Sequence, residues 1–409
     1  MANGTDLFRN PYTPGAGHAP PYLAGRELEI AEFEKLLEQT TILDNALLTG
    51  LRGVGKTVLL DRFKSIAIKK GWLWAGNDLS ESASLTEASL ATRIIADLSV
   101  ATAGVHFQVP VATVGFATQQ TFEDVFLSFD HLATVHDQHP GLPSDKIRAV
   151  LEYAWSVLKQ RPNQTRIVFA YDEAQNLADH ASSDQFPLST LLDVFKSIQA
   201  QGIPFMLVLT GLPTLFPKLI EARTYAERMF HIMTLGRLSP GDSAAAVVVP
   251  LETTNCPVMI SAESVTAVVE ESAGYPYFIQ FICREVYDVF LQHLNRGESP
   301  PAVPLDSIQR KLDVDFFSGR WARLTDRQRD LLWVIASLDS ADEEFKIQEI
   351  TARVKTSPVK EFSSSHVNQM LVSLTHQGLV YKNRFGKYSF AVPLMGAFIL
   401  RTYEPTAEQ

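Results

Sequence analysis

The sequence predicts an α/β fold built on a parallel, doubly wound sheet, followed by a small all-helical lid and a C-terminal winged helix-turn-helix. Three observations carry that expectation. A short apolar strand over 46–49 feeds the run Gly50-Leu51-Arg52-Gly53-Val54-Gly55-Lys56-Thr57, and an amphipathic helix follows over 58–69. A second continuous apolar run, 167–171, has the composition of a central strand buried on both faces, and it ends in the adjacent carboxylates Asp172 and Glu173. Around these two runs strand and helix patterns alternate, with strands at 72–75 and 205–209 and helices at 85–98 and 188–199.

The first of these runs is a P-loop pattern, G-x-x-x-x-G-K-T between strand and helix, and it points to a nucleotide triphosphate. Gly50, Gly53 and Gly55 let backbone N–H groups around Val54 turn inward on phosphate, and the helix that opens at Thr57 and Val58 adds its positive dipole end. Lys56 is expected to reach the β- and γ-phosphates of ATP, and the Thr57 hydroxyl to ligate Mg2+. An ordinary strand-to-helix turn is the plainer alternative, and the GKT ending weighs against it. At the second strand's carboxyl end, where open α/β sheets bind ligands, Asp172 is the expected water-mediated Mg2+ partner. Glu173 is expected to polarise an attacking water. The competing reading has the two acids merely favouring the dipole of a following helix.

At 409 residues and 46% hydrophobic content the chain is long enough for two or three packed domains. A formal charge of −10 argues against a wholly basic nucleic-acid coat protein but leaves room for a local basic patch. Cys256 and Cys283 are far apart and outside any C-x-x-C pattern, which points away from a disulfide framework or a zinc site. His131, His136 and His139 read as a polar helix end and loop. No apolar run reaches transmembrane length, and the N-terminus lacks a signal core, so a reducing, bacterial-type cytoplasm is expected and no membrane partner.

Four regions are expected: an extended Pro/Gly-rich arm over 1–22, a nucleotide-binding core over 23–238, a helical lid over 239–320 and a winged-helix domain over 321–409. The core opens with a helix over 27–38 that places Leu28, Phe33, Leu36 and Leu37 on one face. Residues 105–118, β-prone but broken by Pro110 and Gly115, are either an edge extension of the sheet or an exposed hairpin that binds a partner. Lid helices are expected over 242–249, 262–272, 277–294 and 305–317. The last region offers helices over 326–337, 347–354 and 364–377, then strands over 379–381 and 388–392 flanking a basic turn.

With these pieces in place the chain resembles the AAA+ ATPases of the origin-recognition and Cdc6 type, in particular prokaryotic relatives that border on the STAND NTPases. Leu23-Ala24-Gly25-Arg26-Glu27 is similar to the family's adenine-side "VGRE" element, and Asp172-Glu173-Ala174-Gln175 to a "DEAQ" Walker B. The resemblance implies that 205–213 is the sensor-1 strand, with Thr210 facing the γ-phosphate side. It also implies that Arg228 is an arginine finger acting on a neighbouring subunit in a nucleotide-dependent homo-oligomer; a surface ion pair within one subunit is the alternative. Gly274-Tyr275-Pro276 stands where many AAA+ proteins carry a sensor-2 arginine, and it resembles the G-x-P motif of STAND proteins. That implies a lid contacting the adenine side, and slow, switch-like use of ATP.

Between Arg353 and Lys387 there are six basic residues and one acid, within a chain of −10. Lys382, Arg384 and Lys387 fall on the supposed wing, while Asn368 and Gln369 belong to the polar face of the helix that would enter a major groove. DNA contact through this region is the first expectation. A winged helix that docks on protein is the second, and a transposition or phage-defence adaptor is a third that no residue singles out.

Overall fold

The structure is a computed structural model that describes residues 9–15, 17–76, 78–80, 82–104, 107–111, 121–160, 166–254, 256–383 and 386–405. The chain divides into two compact units, one comprising residues 28–49 and 59–234, the other residues 1–27, 50–58 and 235–409.

The first unit is organised by a five-stranded sheet in the order β2-β5-β6-β1-β7, with β1 at Asn45–Gly50, β2 at Leu73–Ala75, β5 at Ile167–Tyr171, β6 at Phe205–Gly211 and β7 at Phe230–Leu235. β5 and β6 are buried at every position, as their unbroken apolar runs require. They pair in parallel from Ile167↔Phe205 to Tyr171↔Leu209, β1 pairs with β6 from Ala46↔Val208 to Thr49↔Gly211, and β2 pairs with β5. The carboxyl ends of β1, β5 and β6 therefore share one edge of the sheet, which is where Asp172 and Thr210 fall.

Helix α1 (Glu27–Leu36) meets α2 (Lys56–Lys69) through stacked Phe33 and Phe63 rings, 4.1 Å between centroids. Leu28, expected on that face, is instead 69% exposed, because the buried stripe of α1 is set by Phe33 and Leu36. After α3 (Glu87–Ala101) comes a hairpin of β3 (Phe107–Val111) and β4 (Thr121–Val125) that forms a two-stranded sheet of its own. Of the segment 105–118, residues 105, 106 and 112–118 lie outside the described residues. Two further helices, α4 (Phe129–Gln138) and α5 (Pro143–Leu158), precede β5, and α5 packs on α3, α4 and α6 (Pro187–Ala200). Phe169 is fully buried, and its ring meets Phe195 and Phe205 at 5.3 and 5.7 Å. Helix α7 (Leu215–Ala222) and the turn Thr224–Arg228 lead to β7.

The second unit holds the lid helices α8 (Pro240–Thr253), α9 (Ala262–Ser272), α10 (Pro276–Asn295) and α11 (Leu305–Leu312). The helix expected to run on to 317 changes character at Asp313–Ser318, a π turn that passes into the short α12 (Gly319–Trp321). Then come α13 (Asp326–Ala336), opened by the Thr325/Gln328 capping box, α14 (Ile347–Val354) and α15 (Ser364–His376). The hairpin β8 (Val380–Lys382) and β9 (Tyr388–Phe390) follows, with Phe345 bridged to Tyr388. A final helix, α16 (Met395–Thr402), packs on α13 and stacks Phe398 on Phe317 at 4.9 Å.

Candidate nucleotide site

The phosphate-binding segment has the backbone its sequence calls for. Gly53 and Gly55 take φ values of 78° and 92°, in the left-handed region open to glycine. A Cβ on Gly53 would also press on Tyr277, 3.2 Å away, and the Gly53 carbonyl accepts the Tyr277 N–H at 3.2 Å. Lys56 is buried, and its Nζ donates to the carbonyls of Gly50 (3.0 Å) and Leu51 (2.8 Å), so the ammonium lies against the loop that it is expected to serve. Thr57 and Val58 belong to the first turn of α2, whose N–H groups have no helical carbonyl to meet. That turn carries no acidic residue, so nothing in it offsets the positive dipole end.

Arg26 fixes this segment from the other side. The residue is 5% exposed, and its guanidinium donates through Nη2 to Val54 O at 3.1 Å and to Gly236 O at 2.8 Å. Gly25 beside it is left-handed at φ 60°. In the lid, Gly274 (φ 75°) sits so close to Leu238 that a Cβ would lie 2.7 Å from its carbonyl, and Leu238 N donates to Gly274 O at 2.8 Å. Pro276 occupies the first turn of α10, where its missing N–H costs nothing. The next arginine along the chain, Arg284, pairs with Glu285 at 3.1 Å and lies over the Phe281 ring.

In the other unit the carboxyl edge of the sheet presents the acidic pair. Asp172 is 3% exposed, its Oδ1 accepts the Glu173 N–H at 2.8 Å, and its carbonyl accepts Leu79 N–H at 3.0 Å. Glu173 is exposed and left-handed, at φ 51° and ψ 33°. Thr210 is fully buried, and its Oγ1 finds no hydrogen-bond partner among the described residues. Arg228 is exposed at the end of its turn and makes no ion pair among the described residues. Arg223, five residues earlier, is by contrast held by Asp193 at 2.6 Å.

On the C-terminal module Asn368 and Gln369 are exposed on α15, and Lys382 is exposed at the end of β8. Lys387 is tied to Glu344 at 3.1 Å, which neutralises part of the basic turn, and Arg384 lies outside the described residues. Sequence reasoning named Arg26 and Gln175 within their motifs without the contacts that they make. Arg26 acts through a carbonyl 210 residues away, and Gln175 was visible only as the last letter of "DEAQ".

Residues 22–208 match the AAA ATPase domain family, and residues 314–399 match a domain of unknown function (DUF8462). Among solved structures the chain is similar to the Walker-type ATPase paby2304 of Pyrococcus abyssi, at 15% identity, a TM-score of 0.57, and coverage of 92% of this chain and 96% of that one. It is also similar to the Aeropyrum pernix ORC2 protein in its ADP form, at 16% identity, a TM-score of 0.54, and coverage of 95% and 97%. No curated protein matches. The AAA ATPase domain match over 22–208, which contains the P-loop pattern, marks the chain as a P-loop ATPase. Residues 22–208 are similar to the AAA ATPase domain, and the chain shares its fold with the Pyrococcus abyssi ATPase and the ORC2 protein.

Proposed function

We propose that this ATPase is a slow, nucleotide-controlled switch that binds ATP with Mg2+ and contacts DNA through a winged helix within residues 321–409. The observation that carries the ATP half is the loop itself: left-handed Gly53 and Gly55, buried Lys56 and the acid-free first turn of α2. Lys56 exchanges the carbonyls of Gly50 and Leu51 for the β- and γ-phosphates. The hydroxyl of Thr57 and the carboxylate of Asp172 are hard oxygen donors of the kind Mg2+ takes. Mg2+ held by such donors would neutralise charge on the β- and γ-phosphates. Glu173 orients the attacking water, and the Thr210 hydroxyl, without a partner among the described residues, donates toward the γ-phosphate side. Gly25, Arg26, Gly274 and Pro276 shape the adenine side.

Slow turnover fits a lid whose G-x-P element replaces an arginine and whose next arginine along the chain, Arg284, is engaged by Glu285. Arg228, exposed and without an ion pair among the described residues, suits a finger offered to a second copy of the chain.

The DNA half rests on the polar exposed face of α15 and on Lys382. Retention of duplex DNA by the purified protein at moderate salt, with and without ATP, tests it. Nucleotide-dependent retention supports the reading, and no retention at low salt with ATP overturns it.

Two observations favour a second reading, in which the C-terminal module docks on its own ATPase. A Cβ on Gly378 would stand 3.5 Å from Arg52 Nη2 of the phosphate loop. A cavity of about 180 Å³ is lined by Leu51, Arg237 and Tyr275 together with Glu344, Tyr381 and Phe390 of that module. A protein whose ATP affinity rises on deletion of 321–409, and which retains no DNA, would fit this alternative.

A further inference from the structure

Gln175 has no part in the roles assigned above, yet its side chain sits between two of them. It lies in the turn Ala174–Asn176 at the carboxyl end of β5, and makes two bonds of opposite polarity. Its Nε2 donates to Glu173 Oε2, and its Oε1 accepts the Leu212 N–H at 3.1 Å, just past the end of β6. The second bond fixes the first. A backbone N–H can be met only by an acceptor, so the amide oxygen must face Leu212 and the NH2 group must face the carboxylate.

The surroundings allow little freedom. A Cβ on Gly211 would stand 2.5 Å from Gln175 Oε1, so glycine at the end of β6 is what admits the amide. The Gln175 carbonyl accepts Lys218 Nζ from α7 at 2.7 Å, and Asn176 Nδ2 donates to Leu79 O at 2.9 Å. Glu173 itself is held in a left-handed backbone that L-residues seldom adopt.

We propose that Gln175 is a positioning residue that holds the Glu173 carboxylate at the angle needed to orient water and links it to the end of the Thr210 strand. The inference rests on the reading of Glu173 as the group that activates water. One carboxylate oxygen is occupied by the amide and the other is left for water. A shift of the Leu212 peptide moves the amide, and with it the carboxylate, so the strand bearing Thr210 and the base move together.

The test uses the full-length protein and side chains of nearly equal shape. Gln175→Glu keeps the acceptor for Leu212 but turns an oxygen toward Glu173, and Gln175→Met removes both bonds at similar volume. Each should lower kcat by roughly tenfold to a hundredfold, the scale of misplacing a catalytic group, with ATP affinity and melting temperature unchanged. A residue that merely filled the turn would leave kcat near wild type in both. In a Glu173→Gln background the same substitutions should change the residual rate by less than about twofold, since no carboxylate remains to be positioned. Should the Gln175 variants misfold, Gly211→Ala displaces the amide from the other side and should give the same loss of kcat. If Glu173→Gln abolishes turnover while Gln175→Glu and Gln175→Met turn over like wild type, the inference alone is wrong. Wild-type turnover by Glu173→Gln would remove both the inference and the role of Glu173.

Discussion

Replacing Arg26 by alanine removes a buried guanidinium that joins the phosphate loop to the segment entering the lid. The bonds lost include two that tie distant segments together, from Nη2 to Val54 O at 3.1 Å and to Gly236 O at 2.8 Å, at a residue that is 5% exposed. A hydrogen bond from a charged donor contributes about 1.5–3 kcal/mol, and a carbonyl left buried without a partner costs about 1–3 kcal/mol. The hole left by the guanidinium is polar, and water entering it would recover roughly half, so a net loss of about 2–4 kcal/mol is expected. Because Val54 lies within the loop, part of that loss falls on the loop's order before ATP binds. ATP affinity should drop roughly tenfold to a hundredfold, equivalent to about 1.4–2.8 kcal/mol. Titration with a fluorescent ATP analogue at fixed Mg2+ and salt reads the affinity, and thermal unfolding reads the rest. Arg26→Lys, which keeps a charge and can reach one carbonyl, should lose less. Arg26→Ala binding ATP within about twofold of wild type would refute the idea that this residue organises the loop.

Asn45 is fully buried, donates to Gln199 Oε1 and Met229 O, and accepts from Leu207 N–H and Gln199 Nε2, all within 2.7–3.1 Å. Asn45→Ala should therefore destabilise the sheet by about 2–4 kcal/mol, read as a lower urea midpoint, and an unchanged midpoint would contradict this. Arg228→Ala should leave ATP binding intact but lower the hydrolysis rate, and wild-type activity per subunit should rise with protein concentration; a rate independent of concentration, with only monomer in sedimentation, counts against a finger acting between copies. For the C-terminal module, the combined change of Lys382, Arg384 and Lys387 to alanine should weaken binding to all DNA sequences alike and flatten the salt dependence by about two to three units. Lys387 should contribute the least because Glu344 already pairs with it. Asn368→Ala or Gln369→Ala should instead change preference among sequences, and unaltered DNA binding in both sets would favour docking on protein.

The parts of this molecule that were legible in its sequence are those whose chemistry imposes a local pattern. The phosphate loop shows because its spacing is dictated by the ligand, and β5 and β6 show because burial on both faces demands unbroken apolar runs. The strand β7 did not stand out, since at the sheet edge its burial alternates and His231 and Thr234 break the apolar run. The pair α4 and α5 was overlooked although Ile147, Val150, Leu151, Ala154 and Leu158 carry a helical stripe that was there to be read. Leu28 satisfied the periodicity of α1 and is nonetheless exposed, because periodicity gives a face and tertiary packing decides how wide that face is. The contacts of Arg26 and Gln175, both residues quoted from their motifs, were beyond reach for a different reason. Their partners, Gly236 and Leu212, are distant in sequence, and a hydrogen bond to a backbone carbonyl or N–H leaves no mark on the identity of the partner.

Hydrolysis and binding measured side by side in wild type, Lys56→Ala and Glu173→Gln test the central claim most directly. Single-turnover hydrolysis of radiolabelled ATP with Mg2+ gives the chemistry, and equilibrium titration gives the affinity. The account predicts that Lys56→Ala loses ATP affinity by a hundredfold or more, roughly the value of two charge-assisted bonds to phosphate. It predicts that Glu173→Gln binds ATP like wild type and hydrolyses it at least about a hundredfold more slowly, the usual contribution of a group that orients water. ATP affinity in Lys56→Ala equal to wild type, or undiminished hydrolysis by Glu173→Gln, would contradict it.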